Sequence, residues 1–315
     1  MREEMQRDPN VFIIGEEVAE YEGAYRVTEK LLAEFGEERV LDTPISEEAI
    51  VGIGVGAAML GLRPVVELMT INFALLAMDQ IVNHAAKMCY MSNGQYPIPM
   101  VLRMPEGSGM QLGAQHSQHL EVWFAHVPGL KVVAPSTPHD AKGLLKSAIR
   151  DDDPVVFIEN QLLYAVRGEV PEAEYTVPLG KAEVVREGQD VTLYGYLHTV
   201  GMCLKAAAAL EQEGISAEVV DVRSLRPLDV STLTDSLRKT HHAVIVEENW
   251  PQYGVGAQIV DCLQYHAFDY LDAPILRVTQ EDVPMPYSKE LEQSALPNDA
   301  KVVHAVRRSL GSLVS

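Results

Sequence analysis

Asp42–Met69 reads DTPISEEAIVGIGVGAAMLGLRPVVELM, and its reading decides the fold. The run Arg39–Leu41 just before it is short and apolar, which predicts a buried strand. Glu48–Leu60 has the length and composition of a helix, and Pro64–Met69 reads as the next strand. Gly52, Gly54, Gly56 and Gly61 fall within that helix and its exit. Each glycine costs a helix about 0.5–1 kcal/mol relative to alanine. Their presence calls for close approach by another backbone or a ligand. Glu47 stands at the helix entry, where an acid favours the helix dipole and Ser46 can act as the cap.

The same alternation extends outward from this stretch. Val11–Gly15 reads as a strand ending in Glu16-Glu17, and Val27–Phe35 as a helix. Asn72–Met91 reads as one long, largely apolar helix, and Pro99–Met104 as a strand. A glycine-rich loop, Glu106–Gln115, precedes a helix expected over Ser117–His126. Strand Lys131–Pro135, helix His139–Arg150 and strand Pro154–Glu159 follow. Apolar strands alternating with helices predict a parallel sheet covered on both faces. The pattern lapses from Gln161 to Pro178, which carries prolines and acids without periodicity. It resumes in strands at Asp190–Tyr196, Ser216–Asp221, Ala243–Glu247 and Ile275–Val278. Helices are expected there at Thr199–Gly214, Val230–Leu237, Gly254–His266 and Asp299–Leu310. The fold class is therefore α/β in two domains, each a mainly parallel sheet covered by helices: residues 1–160, a linker at 161–180, and 181–315.

Composition narrows the function. Asp and Glu number 45 against 25 Lys and Arg, a formal charge of -20. That excess argues against nucleic acid and leaves room for a basic protein partner or simple solubility. No apolar run has the length of a membrane span. Cys89, Cys203 and Cys262 lie far apart and lack metal-ligand spacing, and the polar start MREEMQRDPN is unlike a signal peptide. These features set the expectation of a cytoplasmic protein with reduced thiols. Dinucleotide and P-loop glycine motifs, zinc spacings and a G-x-S-x-G elbow are all missing.

What remains is a carboxylate, Glu47, followed after four residues by Gly52-Ile53-Gly54-Val55-Gly56-Ala57. This pattern resembles the pyrimidine-binding domain of thiamine diphosphate enzymes. The context narrows the resemblance: DTPISE (42–47), GAAMLGLRPVVE (56–67), GAQHSQ (113–118), PGLKVV (128–133), SAIRDDDPVVF (147–157), DAPILRVT (272–279) and DVPMPY (282–287). Together they resemble, over essentially the whole chain, the beta subunit of the first component of 2-oxo acid dehydrogenases, the pyruvate-specific members most closely. The second domain would then be of the transketolase C-terminal type.

The resemblance implies specific roles. Glu47 would hydrogen-bond the far nitrogen of the cofactor pyrimidine and drive the imino tautomer that deprotonates the thiazolium carbon. Burial among Ile45, Ile50 and the glycine helix would help it share a proton with the ring. His116 would stand beside the cofactor and assist proton or acyl transfer; alone, a histidine at such a loop-to-helix junction is more often a surface residue. Ile45, Met69 and Phe73 would pack the aminopyrimidine, which is also what plain core residues do. Met100, Ala148, Ile149, Asp151 and Asp153 would hold a structural potassium ion through oxygen, although 151–153 also reads simply as an acidic turn. Family members often have Asn at the position of Asp153.

The family holds magnesium and the diphosphate with a G-D-G motif, which this sequence lacks. The chain would thus supply half a site, and an alpha subunit would supply the magnesium half in an alpha2-beta2 heterotetramer. The glycine helix would be where that partner approaches. The implied activity is oxidative decarboxylation of pyruvate with acetyl transfer to a lipoyl group of the acyltransferase core, reached through that core's subunit-binding domain. Branched-chain 2-oxo acids or acetoin are alternative substrates. A non-catalytic docking subunit is the alternative of a different class.

Overall fold

The computed structural model describes residues 1–311. The chain divides into two compact units. The first comprises residues 1–106, 123–133 and 137–179; the second comprises 107–122, 134–136 and the chain from 180 onward.

In the first unit six strands lie side by side: β1 (Val11–Gly15), β2 (Val40–Asp42), β3 (Arg63–Glu67), β4 (Val101–Glu106), β5 (Lys131–Val133) and β6 (Val155–Asn160). Their order is β5-β6-β4-β3-β1-β2, and every pairing among them is parallel. Helices cover both faces, so β1 is buried at all five positions, as a parallel sheet requires. One face carries Ile13, Val65, Val101, Val133, Val155 and Phe157 into a core with Leu144, Ala148 and Ile149. The last three come from helix Pro138–Arg150. That helix starts where it does because Pro138 opens it and the Thr137 hydroxyl accepts from the Asp140 N–H at 3.1 Å.

Helix Glu47–Met59 crosses from β2 to β3. Its glycines have two different causes. Gly54 faces β3, where a Cβ would lie 2.5 Å from Val66 Cγ2. Gly56 faces outward, with nothing within 4 Å of a Cβ. Ile53 and Leu60 are exposed on the same helix and its exit.

The second unit holds β7 (Glu183–Arg186), β8 (Val191–Gly195), β9 (Ala217–Asp221), β10 (Ser224–Arg226), β11 (Ala243–Val246) and β12 (Leu276–Val278). Five of them form a sheet in the order β12-β11-β8-β9-β7. All pairs are parallel except β7 with β9, which is antiparallel. Helices Thr199–Glu211 and Asp299–Ser309 seal one face through Val200, Cys203, Ala206, Leu210, Val302 and Val306.

Several expectations need correction. The single helix over Asn72–Met91 is instead a 3-10 segment (Ile71–Ala77), a π segment (Gln80–Ala85) and one α turn (Met88–Met91). Buried Ile71, Ala74 and Ala77 recur every three residues, the 3-10 period, while Ile81 and Ala85 follow at four. No single helical pitch buries both sets. The helix expected over Ser117–His126 shrinks to Glu121–Ala125, because Ser117 and His119 are tied into the preceding loop by Ser108. Only Leu31–Phe35 of Val27–Phe35 is helical, entered through Lys30 at φ 66. Strand β7 and helix Lys289–Ala295 escaped the sequence reading. β7 is four residues long, half-exposed and bulged between Val184 and Arg186, which is how edge strands avoid a strong signal.

Candidate active site

In the first sheet the chain runs from β1 outward to β2, then returns to β3 on the other side of β1. The crevice outside the carboxyl ends of β1 and β3 is therefore a topological switch point, where open parallel sheets bind ligands. Three sequence segments arrive there: Glu16 after β1, Glu47 after β2, and Leu68-Met69 after β3.

Glu47 is only 6% exposed. Among the described residues nothing hydrogen-bonds its carboxylate, and Ser46 makes no side-chain cap. A mostly buried carboxyl group with no partner inside the chain is open to one from outside it. Glu16 stands close enough to feel it: burial, then the charges of Glu47 and Glu17, push the Glu16 carboxyl above its ordinary range. Like charges gathered in a crevice mark a place where proton affinity is tuned. Met69 and Phe73 are half-buried, whereas Ile45 is 82% exposed in this chain.

Beneath the crevice, the carboxyl ends of β3, β4 and β6 carry a buried charged cluster. Arg103 is 1% exposed and pairs with Glu67 and, at 2.6 Å, with Glu159. It also donates to the Tyr164 hydroxyl at 3.0 Å, which itself donates to Glu159 at 2.7 Å. Burial works against the guanidinium charge, but Glu159 and Glu67 more than reverse this and hold Arg103 above its ordinary value. Burial raises the Glu67 carboxyl, against the pull of Arg103.

His116 is exposed, in a loop that belongs to the second unit. The loop is tied at both ends. Ser108 Oγ donates to the Ser117 carbonyl at 3.0 Å and meets His119 Nε2 at 3.1 Å. At the far end Glu121 Oε1 accepts from Tyr196 Oη at 2.6 Å and Asn249 Nδ2 at 3.0 Å. Tyr196 follows β8 and Asn249 lies beyond β11, so the switch point of the second sheet grips this loop.

Met100, Ala148, Ile149, Asp151 and Asp153 gather at one turn, and the chain's own cations reach it. Arg63 Nη1 donates to the Ile149 and Asp151 carbonyls, both at 3.0 Å. Lys131 Nζ lies 2.8 Å from both Asp151 carboxylate oxygens and 3.0 Å from Asp153. The Met100 carbonyl accepts from the Val155 N–H at 3.0 Å and that of Ala148 from the Asp151 N–H at 3.3 Å.

Sequence reasoning missed Glu16, Arg103 and the anchors of the His116 loop. Strand order would have exposed Glu16, since it follows a strand at the switch point, but periodicity gives no strand order.

This sheet order, with an acid at the switch point and a second α/β unit, defines a chain of the transketolase type. The family described as Transketolase, pyrimidine binding domain matches residues 1–166, and Transketolase, C-terminal domain matches residues 180–302. A solved structure described as a split gene transketolase, inactive beta4 tetramer, shares the fold at a TM-score of 0.82 and 24% identity, over 98% of this chain and 95% of that one. Among curated relatives, the pyruvate dehydrogenase E1 component subunit beta of Rhizobium meliloti is 54% identical over 98% of this chain and 67% of that protein. The mitochondrial beta-2 subunit of Oryza sativa is 53% identical over 98% of this chain and 83% of its own length. The rat mitochondrial subunit is 49% identical, covering 98% and 88%. The chain belongs to the family of pyruvate dehydrogenase E1 beta subunits.

Proposed function

We propose that this chain is the beta subunit of a thiamine diphosphate-dependent pyruvate dehydrogenase, with Glu47 as the group that controls the cofactor's pyrimidine. The observation that carries this reading is the buried, internally unpartnered Glu47 carboxyl at the switch point. A ring nitrogen able to share a proton is the partner such a group lacks, so the residues present fit the pyrimidine end. When bound, the cofactor supplies the carbanion equivalent that attacks a 2-oxo acid. Glu47 would hold or share a proton at its carboxyl oxygen, Ile45, Met69 and Phe73 would pack the aminopyrimidine, and the helix Glu47–Met59 fixes the carboxyl's direction. His116, on its anchored loop, serves proton or acyl transfer to a lipoyl group. Pyruvate is favoured over branched-chain 2-oxo acids and acetoin because relatives named for pyruvate dehydrogenase align over nearly the whole chain.

The diphosphate half, with its magnesium, is assigned to an alpha subunit in an alpha2-beta2 assembly. The exposed Ile45, Ile53, Gly56 and Leu60 are the surface offered to it. The acidic surface suits the basic subunit-binding domain of a lipoyl acyltransferase core. The oxygen set at 100 and 148–153 suits a hard monovalent cation such as potassium through its carbonyls' second lone pairs, while Lys131 holds the two carboxylates. A potassium-dependent rise in melting temperature, not matched by choline, supports that site. No helix among the described residues is long and apolar enough to cross a membrane. The three cysteines are free thiols, which favours a reducing compartment, the cytoplasm.

Glu47→Gln in the reconstituted alpha-beta complex tests the main reading. Decarboxylation of pyruvate should fall by roughly 100-fold or more, while docking to the acyltransferase core stays unchanged. Decarboxylation at the wild-type rate would leave only the docking role.

A further inference from the structure

The loop that carries His116 has a backbone that its internal ties at Ser108 alone do not account for. Gly107, Gly109, Gln111 and Gly113 all have positive φ (128°, 96°, 54° and 78°). For Gln111 that conformation costs about 1–2 kcal/mol. A backbone of this kind persists only where surrounding groups over-determine it. The group that does so is Glu292, from helix Lys289–Ala295 of the same unit. Its side chain is 0% exposed. Oε1 accepts the N–H of Gly109 at 2.9 Å and of Gln111 at 3.2 Å, and Oε2 accepts from Gln111 Nε2 at 2.7 Å. Gln111 Nε2 also donates to the Gly109 carbonyl at 2.9 Å. Just before that helix, Tyr287 lies against Gly113, where a Cβ would come within 3.1 Å of its ring. No cation among the described residues pairs with Glu292. Among the described residues its side-chain hydrogen bonds all go to the loop, at Gly109 and Gln111.

We propose that Glu292 is a positioning residue: it fixes residues 109–113 so that His116, three residues beyond Gly113, is presented in one place. This rests on the reading of His116 as the acyl-transfer group. The test uses the reconstituted alpha-beta complex loaded with thiamine diphosphate and magnesium. Acetyl transfer to a free lipoyl domain is measured beside decarboxylation with an artificial electron acceptor, cofactor affinity and melting temperature. His116→Ala sets the reference for losing the histidine. Glu292→Gln places an amide against Gln111 Nε2 and should cut acetyl transfer by roughly 10- to 100-fold, leaving decarboxylation and cofactor affinity within about threefold. Adding Gln111→Glu reverses the polarity of the pair, keeps an oxygen for the two backbone N–H groups, and should restore acetyl transfer. If His116→Ala loses transfer and Glu292→Gln does not, Glu292 has no positioning role. The same conclusion follows if the swapped pair recovers melting temperature but not transfer. If His116→Ala itself transfers normally, the histidine reading fails, and the positioning role falls with it.

Discussion

Replacing Arg103 by methionine tests the charged cluster under the crevice. The substitution keeps much of the side-chain volume and removes the cation that, among the described residues, pairs with both Glu67 and Glu159. Glu67 is 7% exposed, so water cannot replace the lost guanidinium. Breaking a buried pair from one side costs about 3–5 kcal/mol, against total domain stabilities of roughly 5–15 kcal/mol. For a domain of this size each kcal/mol moves the melting temperature by about 2–4 °C. The expected drop is therefore roughly 6–20 °C by differential scanning calorimetry of the assembled enzyme at neutral pH. The acid dependence has a definite sign. Burial raises the Glu67 carboxyl above its ordinary 4.5. Its protonated form thus favours the fold below about 4.5, and that contribution fades as pH rises through the folded value. The deficit of Arg103→Met should accordingly shrink toward pH 4.5. Combining it with Glu67→Gln and Glu159→Gln removes the stranded charges and should recover most of the loss. A single variant as stable as wild type, or a triple variant no better than the single one, refutes the account.

Gly54→Ala gains about 1 kcal/mol of helix propensity but drives a methyl group into Val66, so a net loss of about 1–2 kcal/mol is expected in chemical unfolding. Gly56→Ala meets nothing in this chain and should stabilise it by up to about 1 kcal/mol; analytical ultracentrifugation should show weaker assembly with an alpha subunit. Tyr196→Phe deletes the hydroxyl that donates to buried Glu121, for about 1–3 kcal/mol in thermal unfolding. The Glu248 carboxylate holds His198 above its ordinary 6.5, against burial and the charges of Lys205 and His119. That stabilisation is complete below about 6.5 and disappears as pH rises through the folded value. Unfolding titrations of His198→Gln should be flatter over that window.

The sheets were legible because strands buried on both faces are continuous apolar runs, as β1 and β11 are. The helix Pro138–Arg150 was legible to within a residue from its place in the strand–helix alternation. The broken segment after Thr70 was not, because its buried spacing changes from three to four partway along. Glu47 stood out locally as an acid before glycines. Its neighbour Glu16 did not, since their meeting depends on strand order. Gly54 and Gly56 look alike in sequence, and only the packing of Val66 separates them. The anchors at Glu292, Tyr196 and Asn249 join residues some 75 to 183 positions apart, and no local pattern announces such a pairing.

That separation has a consequence in time. A ribosome completes Gly109 and Gln111 long before Glu292, the residue that holds them, leaves the exit tunnel. The six strands of the first unit are all made by Asn160. Until Glu292 is made, the Gly109 and Gln111 N–H groups lack the acceptor that holds them, which leaves this part of the loop open to proteases and chaperones. A copy that ended before Glu292 would carry a complete Glu47 helix but no acceptor for the Gly109 and Gln111 N–H groups.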